Sequence, residues 1–269
     1  MFRFKNYVKV QELKEAYELN QKKSNVVLGG TLWLKMEDIN KQTAIDLSGL
    51  GLDKITETSE EFIIGCMVSL RDLELHPSLN ESFQNGFKEA VRHIVGVQFR
   101  NCATVGGSIF ARFGFSDVLT LFLALDSYVE LYKGGRVSMK EFVKMPRNND
   151  ILVSVIVKKD NRKVCYLSER RSSTDFPLIS CAAACHNGEW TVSVGARPAR
   201  AMLFSDDQKR LSEIPGNEEI DLFIQDMKES VTFGTNMRGS EEYRRHLAGV
   251  LIRRGIQTIL KDRTGGVLG

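Results

Sequence analysis

The hexapeptides Leu28-Gly29-Gly30-Thr31-Leu32-Trp33 and Val105-Gly106-Gly107-Ser108-Ile109-Phe110 share one pattern: aliphatic, glycine, glycine, hydroxyl, aliphatic, aromatic. Each follows a β-like run of residues. Paired glycines permit positive φ and lack Cβ atoms, so they leave main-chain N–H groups open to a bulky anion. The hydroxyl of Thr31 or Ser108 adds a further donor. Two such turns brought together would enclose a pyrophosphate from both sides, and the repeat therefore predicts a dinucleotide site.

Either glycine pair alone would indicate only a tight turn, and it is the repeat that favours ligand binding. The sequence contains neither of the two commonest nucleotide motifs. The nearest approach to G-x-G-x-x-G, Gly49-Leu50-Gly51, lacks the third glycine and a following helix. No Gly-Lys-Ser or Gly-Lys-Thr occurs, which excludes a Walker P-loop.

Hydrophobic periodicity predicts an α+β protein of two domains. Predicted strands lie at 25–28, 44–47, 62–67, 128–132, 151–157, 176–185 and 190–194, and predicted helices at 81–95, 118–125, 220–231 and 240–261. Asn187-Gly188 between two β-rich runs predicts a hairpin. The polar stretch 158–163 resembles a linker, so we expect a first domain at 1–160, with subdomains of about 1–55 and 56–160, and a second at 161–269. The first should contain mixed sheets, and the second a small antiparallel sheet plus helices.

The composition is that of a soluble globular protein, with 42% hydrophobic and 26% charged residues. A net charge of +3, with both signs interspersed, gives no nucleic-acid surface. The longest strongly apolar run, 118–125, is too short for a membrane span, and no apolar signal core follows Met1. We therefore expect a cytoplasmic protein.

The five cysteines, Cys66, Cys102, Cys165, Cys181 and Cys185, lie in apolar stretches without a Cys-x-x-Cys pair. This pattern favours reduced, packed thiols over a disulfide framework or metal ligands. The four histidines stand apart and form no metal-binding or triad pattern. The sequence therefore predicts no catalytic acid–base residue and no metal site.

The segment Arg100-Asn101-Cys102-Ala103-Thr104-Val105-Gly106-Gly107-Ser108-Ile109 resembles a specific family signature, R-N-x-A-T-V-G-G-N followed by Ile or Leu. That signature is typical of the FAD-binding medium subunits of the xanthine dehydrogenase and carbon monoxide dehydrogenase group. Collinear resemblances cover nearly the whole chain, at 26–33, Ser116-Asp117, 150–152, Arg170-Arg171 with Asp175, 195–201 and 238–245.

The resemblance implies a first domain of the vanillyl-alcohol-oxidase and MurB type, with FAD between its two subdomains and the second domain over the isoalloxazine. In that arrangement 28–33 and 104–108 hold the pyrophosphate and ribityl chain, Asp117 meets a flavin-chain hydroxyl, and Leu152 lies near the ring or adenine. The implied FAD-binding residues are Val26, Val27, Leu28, Gly29, Gly30, Thr31, Leu32, Trp33, Asn101, Ala103, Thr104, Gly106, Gly107, Ser108, Ser116, Asp117, Ile151 and Leu152.

The sequence departs from the family pattern at three places. Ser108 stands where Asn is commonest, 111–115 replaces a proline-containing segment, and 167–169 has no counterpart of a lysine that the family often places beside the flavin. The last departure bears on acceptor chemistry more than on FAD binding.

The resemblance also implies partner chains. A molybdenum-binding large subunit carrying molybdopterin would oxidise the substrate, and a small 2Fe–2S subunit would relay electrons to FAD on this chain, which reduces NAD⁺ or another acceptor. No four cysteines here have cluster spacing, so the clusters would belong to partners. Two alternatives stay open: a self-sufficient flavin oxidoreductase, and a nucleotide-binding scaffold without redox activity. The pairs Arg244-Arg245 and Arg253-Arg254 are interpreted as a solvated helix face.

Overall fold

A computed structural model describes residues 1–263 and divides them into two compact units. The first unit comprises 1–73, 96–111 and 127–158, and the second comprises 74–95, 112–126 and the chain from 159 onward. The predicted division into 1–160, with its two subdomains, and 161–269 stays a prediction, and its last six residues lie outside the described part of the chain.

The strands and helices occur in runs along the chain rather than in regular alternation, as is typical of the α+β class. The strands are β1 (Arg3–Lys9), β2 (Asn25–Leu28), β3 (Asn40–Asp46), β4 (Ile55–Glu57), β5 (Glu61–Gly65), β6 (Ser127–Leu131), β7 (Gly135–Ser138), β8 (Leu152–Lys158), β9 (Lys163–Glu169), β10 (Ile179–His186), β11 (Glu189–Gly195) and β12 (Met202–Ser205). The helices are α1 (Leu13–Asn20), α2 (Leu70–Leu75), α3 (Pro77–Ser82), α4 (Gly86–Val91), α5 (Val97–Cys102), α6 (Val105–Phe110), α7 (Asp117–Ala124), α8 (Met139–Phe142), α9 (Asn217–Ser230) and α10 (Glu241–Arg263), with a 3₁₀ turn at Leu34–Met36. Within residues 1–263, none of these helices combines the length and apolar character needed to cross a bilayer.

The first unit holds two sheets. A parallel three-stranded sheet has the order β1-β3-β2, and α1 contacts β2 and β3 through a face on which Ala16 is buried. An antiparallel five-stranded sheet has the order β4-β5-β8-β6-β7. Its central strand β8 is buried along most of its length and α6 lies against it, which explains its nearly continuous run of β-branched residues. The prediction of mixed sheets is wrong: the parallel and antiparallel pairs lie in two separate sheets, each of one kind.

The second unit is a four-stranded antiparallel sheet, β12-β11-β10-β9, with helices on both faces. Odd-numbered residues of β10, such as Cys181 and Ala183, join the core formed with α9 and α10, while Ser180 faces Thr120 of α7 at 3.3 Å. The hairpin between β10 and β11 turns at Asn187 and Gly188, with φ of 50° and 82°, as the Asn-Gly pair predicts. The predicted fold class is confirmed.

One predicted helix is wrong in extent. The segment 81–95 contains the end of α3 and all of α4, separated by Gln84 and Asn85 with φ of 47° and 60°. The left-handed backbone breaks the helix, and Gly86 follows at a position where a Cβ would lie 3.0 Å from Val164 of β9. Tertiary packing on β9 therefore decides where α4 begins.

The interpretation of Arg244 as a solvated residue is also wrong. Arg244 is 1% exposed, and its guanidinium donates to the carbonyl oxygens of Leu178 and Ala196 and to Asn236. Its neighbour Arg245 does form the i,i+4 ion pair with Glu241 that a solvated face favours. Arg244 instead ties three segments of the second unit together at one end of the sheet.

Candidate functional site

The first glycine-containing segment, called loop 1 (28–33), begins where β2 ends. Gly29 and Gly30 form a bend, and Thr31 adopts a left-handed backbone with φ of 58°. The chain then closes into the 3₁₀ turn, with the amide of Lys35 donating to the carbonyl of Thr31 at 3.0 Å. Loop 1 is half-buried as far as Leu32, and Trp33 is 40% exposed.

The main-chain amides of loop 1 point to a ligand. Within residues 1–263, the amides of Gly29, Gly30 and Thr31 donate no hydrogen bond to the chain. They follow an edge strand, because β2 is the last strand of its sheet. Main-chain amides without a protein acceptor are rare in half-buried residues. These three adjacent amides are therefore available to donate hydrogen bonds to an oxyanion.

The second segment, called loop 2 (104–110), is a helix rather than the predicted turn. Thr104 caps α6 by accepting from the amide of Gly107 at 3.2 Å. The amide of Val105 donates to the carbonyl of Val68 at 2.9 Å, and that of Gly106 donates to the carbonyl of Cys66 at 2.8 Å. The predicted open amides are therefore absent from Val105 to Gly107, where protein acceptors already occupy them.

The predicted positive φ of the paired glycines is also wrong. Among residues 1–263, Gly29, Gly30, Gly106 and Gly107 all lie outside the left-handed region, and Thr31 occupies it instead. The glycines are needed because other atoms of the chain lie too close to leave room for a Cβ. A Cβ on Gly30 would lie 1.9 Å from the carbonyl oxygen of Cys102, and one on Gly29 would lie 2.9 Å from Thr104 Oγ1. Loop 1 therefore lies close to the Thr104 side chain of loop 2 and, backbone against backbone, to Cys102 and Ala103 just before loop 2.

The other site residues predicted in the first unit surround these loops. Val26 and Val27 are half-buried on β2, and Asn101 is exposed near the end of α5. Ala103 is buried, and its carbonyl accepts from the amide of Leu70 at 2.8 Å. Ser108 is half-buried, and its hydroxyl donates to the carbonyl of Thr104 at 3.1 Å. Ile151 and Leu152 are buried at the start of β8, the strand against which α6 lies.

Ser116 and Asp117 belong to the second unit. Ser116 caps α7 by accepting from the amide of Leu119 at 3.1 Å. Asp117 is 4% exposed, and its Oδ1 accepts from Arg170 Nη2 at 2.6 Å and from the hydroxyl of Tyr166. Both residues therefore have partners inside their own unit, and the flavin contact expected of Asp117 stays a prediction.

Burial shifts the pKa values of Asp117 and Tyr166. Burial raises the pKa of Asp117, and the charge of Arg170 opposes that rise. Burial and the Asp117 carboxylate raise the pKa of Tyr166 well above its ordinary value. Tyr166 therefore stays protonated and donates a hydrogen bond to Asp117. Asp117 and Arg170 belong to two separate stretches that resemble the family. Nothing in the sequence distinguishes Tyr166 from any other aromatic residue in a predicted strand.

The cysteines divide into two kinds. Burial raises the pKa of Cys66 to about 12 and that of Cys165 to about 11, and Cys181 is shifted in the same direction. Cys102 is exposed, which corrects the expectation that all five thiols are packed. Its carbonyl is the group that touches Gly30.

Comparisons with known proteins agree with this architecture. A family profile described as the FAD binding domain in molybdopterin dehydrogenase matches residues 2–159, and one described as the CO dehydrogenase flavoprotein C-terminal domain matches 165–259. The chain is 26% identical over 218 residues to the uncharacterized protein YgfM of Escherichia coli K12, covering 79% of this chain and 78% of the relative.

Solved structures share the fold. Carbon monoxide dehydrogenase from Hydrogenophaga pseudoflava superposes with a TM-score of 0.84 at 20% identity, covering 95% of this chain and 96% of the other. Quinoline 2-oxidoreductase from Pseudomonas putida 86 superposes with a TM-score of 0.82 at 17% identity, covering 100% of this chain and 99% of the other. These likenesses bear on the fold of the chain.

Proposed function

Because this chain belongs to the family of FAD binding domains in molybdopterin dehydrogenases, which confirms the predicted family, we propose that it is the FAD-carrying electron-transfer subunit of a multi-subunit molybdenum hydroxylase. Family membership makes it a component of an oxidoreductase. The proposal adds that electrons reach its FAD from 2Fe–2S clusters on a partner chain and leave to NAD⁺ or another acceptor.

The geometry of loop 1 carries the proposal. A dinucleotide needs donors for its diphosphate, and the amides of Gly29, Gly30 and Thr31 are adjacent, half-buried and without an acceptor in residues 1–263. The close approach of Gly30 to the Cys102 carbonyl places loop 1 next to the segment that leads into loop 2. These residues fit the diphosphate of FAD without a lysine.

The chain's own part in the reaction is to hold and orient the cofactor. When bound, FAD supplies the exchange between one-electron and two-electron transfer. We assign the diphosphate to loop 1, assign loop 2 and Leu152 to the walls that shape the site, and retain the other residues predicted to bind FAD as proposals. We also retain the domain division at about residue 160 and a cytoplasmic location.

The partner centres are proposed from the family resemblance. Five cysteines without cluster spacing do not provide a ligand set for a 2Fe–2S cluster on this chain. Following the resemblance, we place the clusters on a small subunit and molybdopterin with its molybdenum on a large subunit. The substrate would be bound by the large subunit.

The test is purification of the tagged chain from its native host, followed by flavin and metal analysis. We expect FAD, iron and molybdenum in one assembly, with flavin absorbance that bleaches when substrate of the complex is added. A chain that purifies alone with FAD and is reduced by a small organic substrate would favour the self-sufficient oxidoreductase. A chain that takes up no FAD would overturn the proposal.

A further inference from the structure

Strand β1 is exposed to a degree that is unusual for a parallel sheet. Among residues 1–263 it pairs only with β3, so it forms one edge of its sheet. In Arg3–Lys9 only Val8 is half-buried and every other residue is exposed, whereas Thr43, Ala44 and Ile45 of β3 are buried. Parallel sheets occur almost only with both faces covered. β1 is instead uncovered on both faces and along its free edge.

The free edge of β1 presents main-chain donors and acceptors. The N–H of Arg3 donates to the carbonyl of Ile39 at 3.0 Å, which directs the main-chain groups of Arg3 toward β3. Because these directions alternate along a strand, the main-chain groups of Phe4, Asn6 and Val8 point away from β3. The N–H groups of these three residues have no acceptor in the described part of the chain. An exposed row of this kind is a template for another strand.

The side chains of β1 indicate the charge that such a strand would carry. Residues 1–11 contain Arg3, Lys5 and Lys9 and no acidic residue. Their odd numbers place the three basic side chains on one face of β1. The charge of Lys9 interacts with that of Asp46, but within residues 1–263 Arg3 and Lys5 form no ion pair. The free edge therefore carries basic groups that acidic side chains would complement.

Resting on the proposed function for the existence of partner chains, we propose that β1 binds an extended, carboxylate-bearing segment of a partner chain as a fourth strand of its sheet. Strand addition supplies affinity through main-chain hydrogen bonds and specificity through alternate side chains. Opposite charges on neighbouring strands attract, whereas a second copy of β1 would place like charges together. Phe4 and Tyr7 lie on opposite faces and are 44% and 54% exposed, so the added strand would cover apolar surface as well.

Hydrogen exchange of the wild-type chain tests the added strand directly. The tagged full chain is purified with its partners from the native host, and the same chain is produced alone in a foreign host. Mass spectrometry with fragmentation then gives the exchange rates of the amides of Phe4, Asn6 and Val8. We expect these amides to exchange about a hundredfold more slowly in the assembly. Exchange in β4, an edge strand of the five-stranded sheet, should be unchanged.

Two pairs of substitutions separate the main chain from the charge. Asn6→Pro removes an outward N–H, which an edge strand tolerates, and Asn6→Ala removes the same side chain but keeps that N–H. We expect the Asn6→Pro assembly to dissociate at a concentration about tenfold higher than the Asn6→Ala assembly. Lys5→Glu should raise that concentration about fivefold, and Lys14→Glu, the same charge reversal at an exposed position of α1, should leave it unchanged. Dilution followed by mass photometry measures dissociation.

The outcomes distinguish this inference from the proposed function. An FAD-containing assembly in which the β1 amides exchange as fast as in the free chain would overturn the inference alone, as would a wild-type chain that binds FAD and purifies without partners. Equal dissociation of the two Asn6 variants would contradict main-chain pairing, and equal dissociation of the Lys5→Glu and Lys14→Glu variants would contradict an acidic strand. Protected β1 amides in an assembly without FAD would support the inference and overturn the proposed function. If Asn6→Pro fails to fold, the exchange rates of the wild-type chain decide.

Discussion

Loops 1 and 2 have matching sequences and different structures. Both read aliphatic, glycine, glycine, hydroxyl, aliphatic, aromatic, but loop 1 is a bend with free amides and loop 2 is the start of a helix. The difference lies in their surroundings. Thr104 is the first residue of loop 2 and caps its helix, and the carbonyls of Val68 and Cys66 accept from the amides of Val105 and Gly106. A shared hexapeptide therefore specifies close backbone approach but not which amides remain available.

Gly30→Ala should break the contact between loop 1 and Cys102, just before loop 2, and have the largest effect. Its Cβ would lie 1.9 Å from a main-chain carbonyl that cannot rotate away, so we expect a loss of about 3 kcal/mol in unfolding free energy or failure to fold. The loss in unfolding free energy is measured by urea unfolding, monitored by circular dichroism.

Gly107→Ala is the matched control in loop 2. Its Cβ would lie 3.2 Å from Thr104 Oγ1 at an exposed helical position, where alanine is favoured over glycine, so we expect a change within about 1 kcal/mol. Equal destabilisation by the two substitutions would show that the loops are not distinguished by their contacts.

Thiol labelling should distinguish the two loops chemically. Cys102 is exposed beside loop 1, while Cys66 lies under loop 2 with a pKa raised to about 12 by burial. The thiolate is the reactive form, so at pH 8 we expect labelling of Cys102 to be about a hundredfold faster than that of Cys66.

The pH dependence follows from the raised pKa. Because the pKa of Cys66 is raised to about 12, its thiolate fraction stays small but grows about tenfold per pH unit from pH 7 to pH 9. Its labelling should therefore stay slow at each pH and rise without levelling off, whereas labelling of an ordinary thiol with a pKa of about 8.5 levels off by pH 9. Mass spectrometry of tryptic peptides measures both sites in one experiment. Comparable labelling of Cys66 in the folded chain would contradict the buried contact beneath Gly106.

Thr104→Val should have the smallest effect. It removes the cap from Gly107 while keeping the shape of the side chain, and a lost cap costs about 1 kcal/mol. Thr104→Ser retains a capping hydroxyl and serves as the control. If the Thr104→Val and Thr104→Ser variants unfold at the same urea concentration, the cap does not account for the helix of loop 2.

The fold was largely predictable because its signals are local. The alternating β10 and β11 runs, the Asn187-Gly188 turn and the apolar α7 each occupy one stretch of chain. The periodicity over 81–95 predicts one helix, but Asn85-Gly86 is a turn signal, and the left-handed backbone at Gln84 and Asn85 separates α3 from α4.

The candidate site was predictable in position and not in detail. The glycine pairs indicated where backbones approach, but the partners of those backbones are carbonyl groups of Cys66, Val68 and Cys102, and a carbonyl is present at every residue. The left-handed Thr31 was equally hidden, since a β-branched residue is the type least expected there. The identities of the side chains therefore do not predict these main-chain contacts or the backbone conformation of Thr31.

The buried guanidinium of Arg244 sets an order in which the second unit can be completed. Its acceptors at Leu178, Ala196 and Asn236 all precede it in the chain, and they lie just before β10, just after β11 and between α9 and α10. These hydrogen bonds can form only after the first turn of α10 has been synthesised. We expect the strands of β9 to β11 to pair early and this end of the sheet to close last.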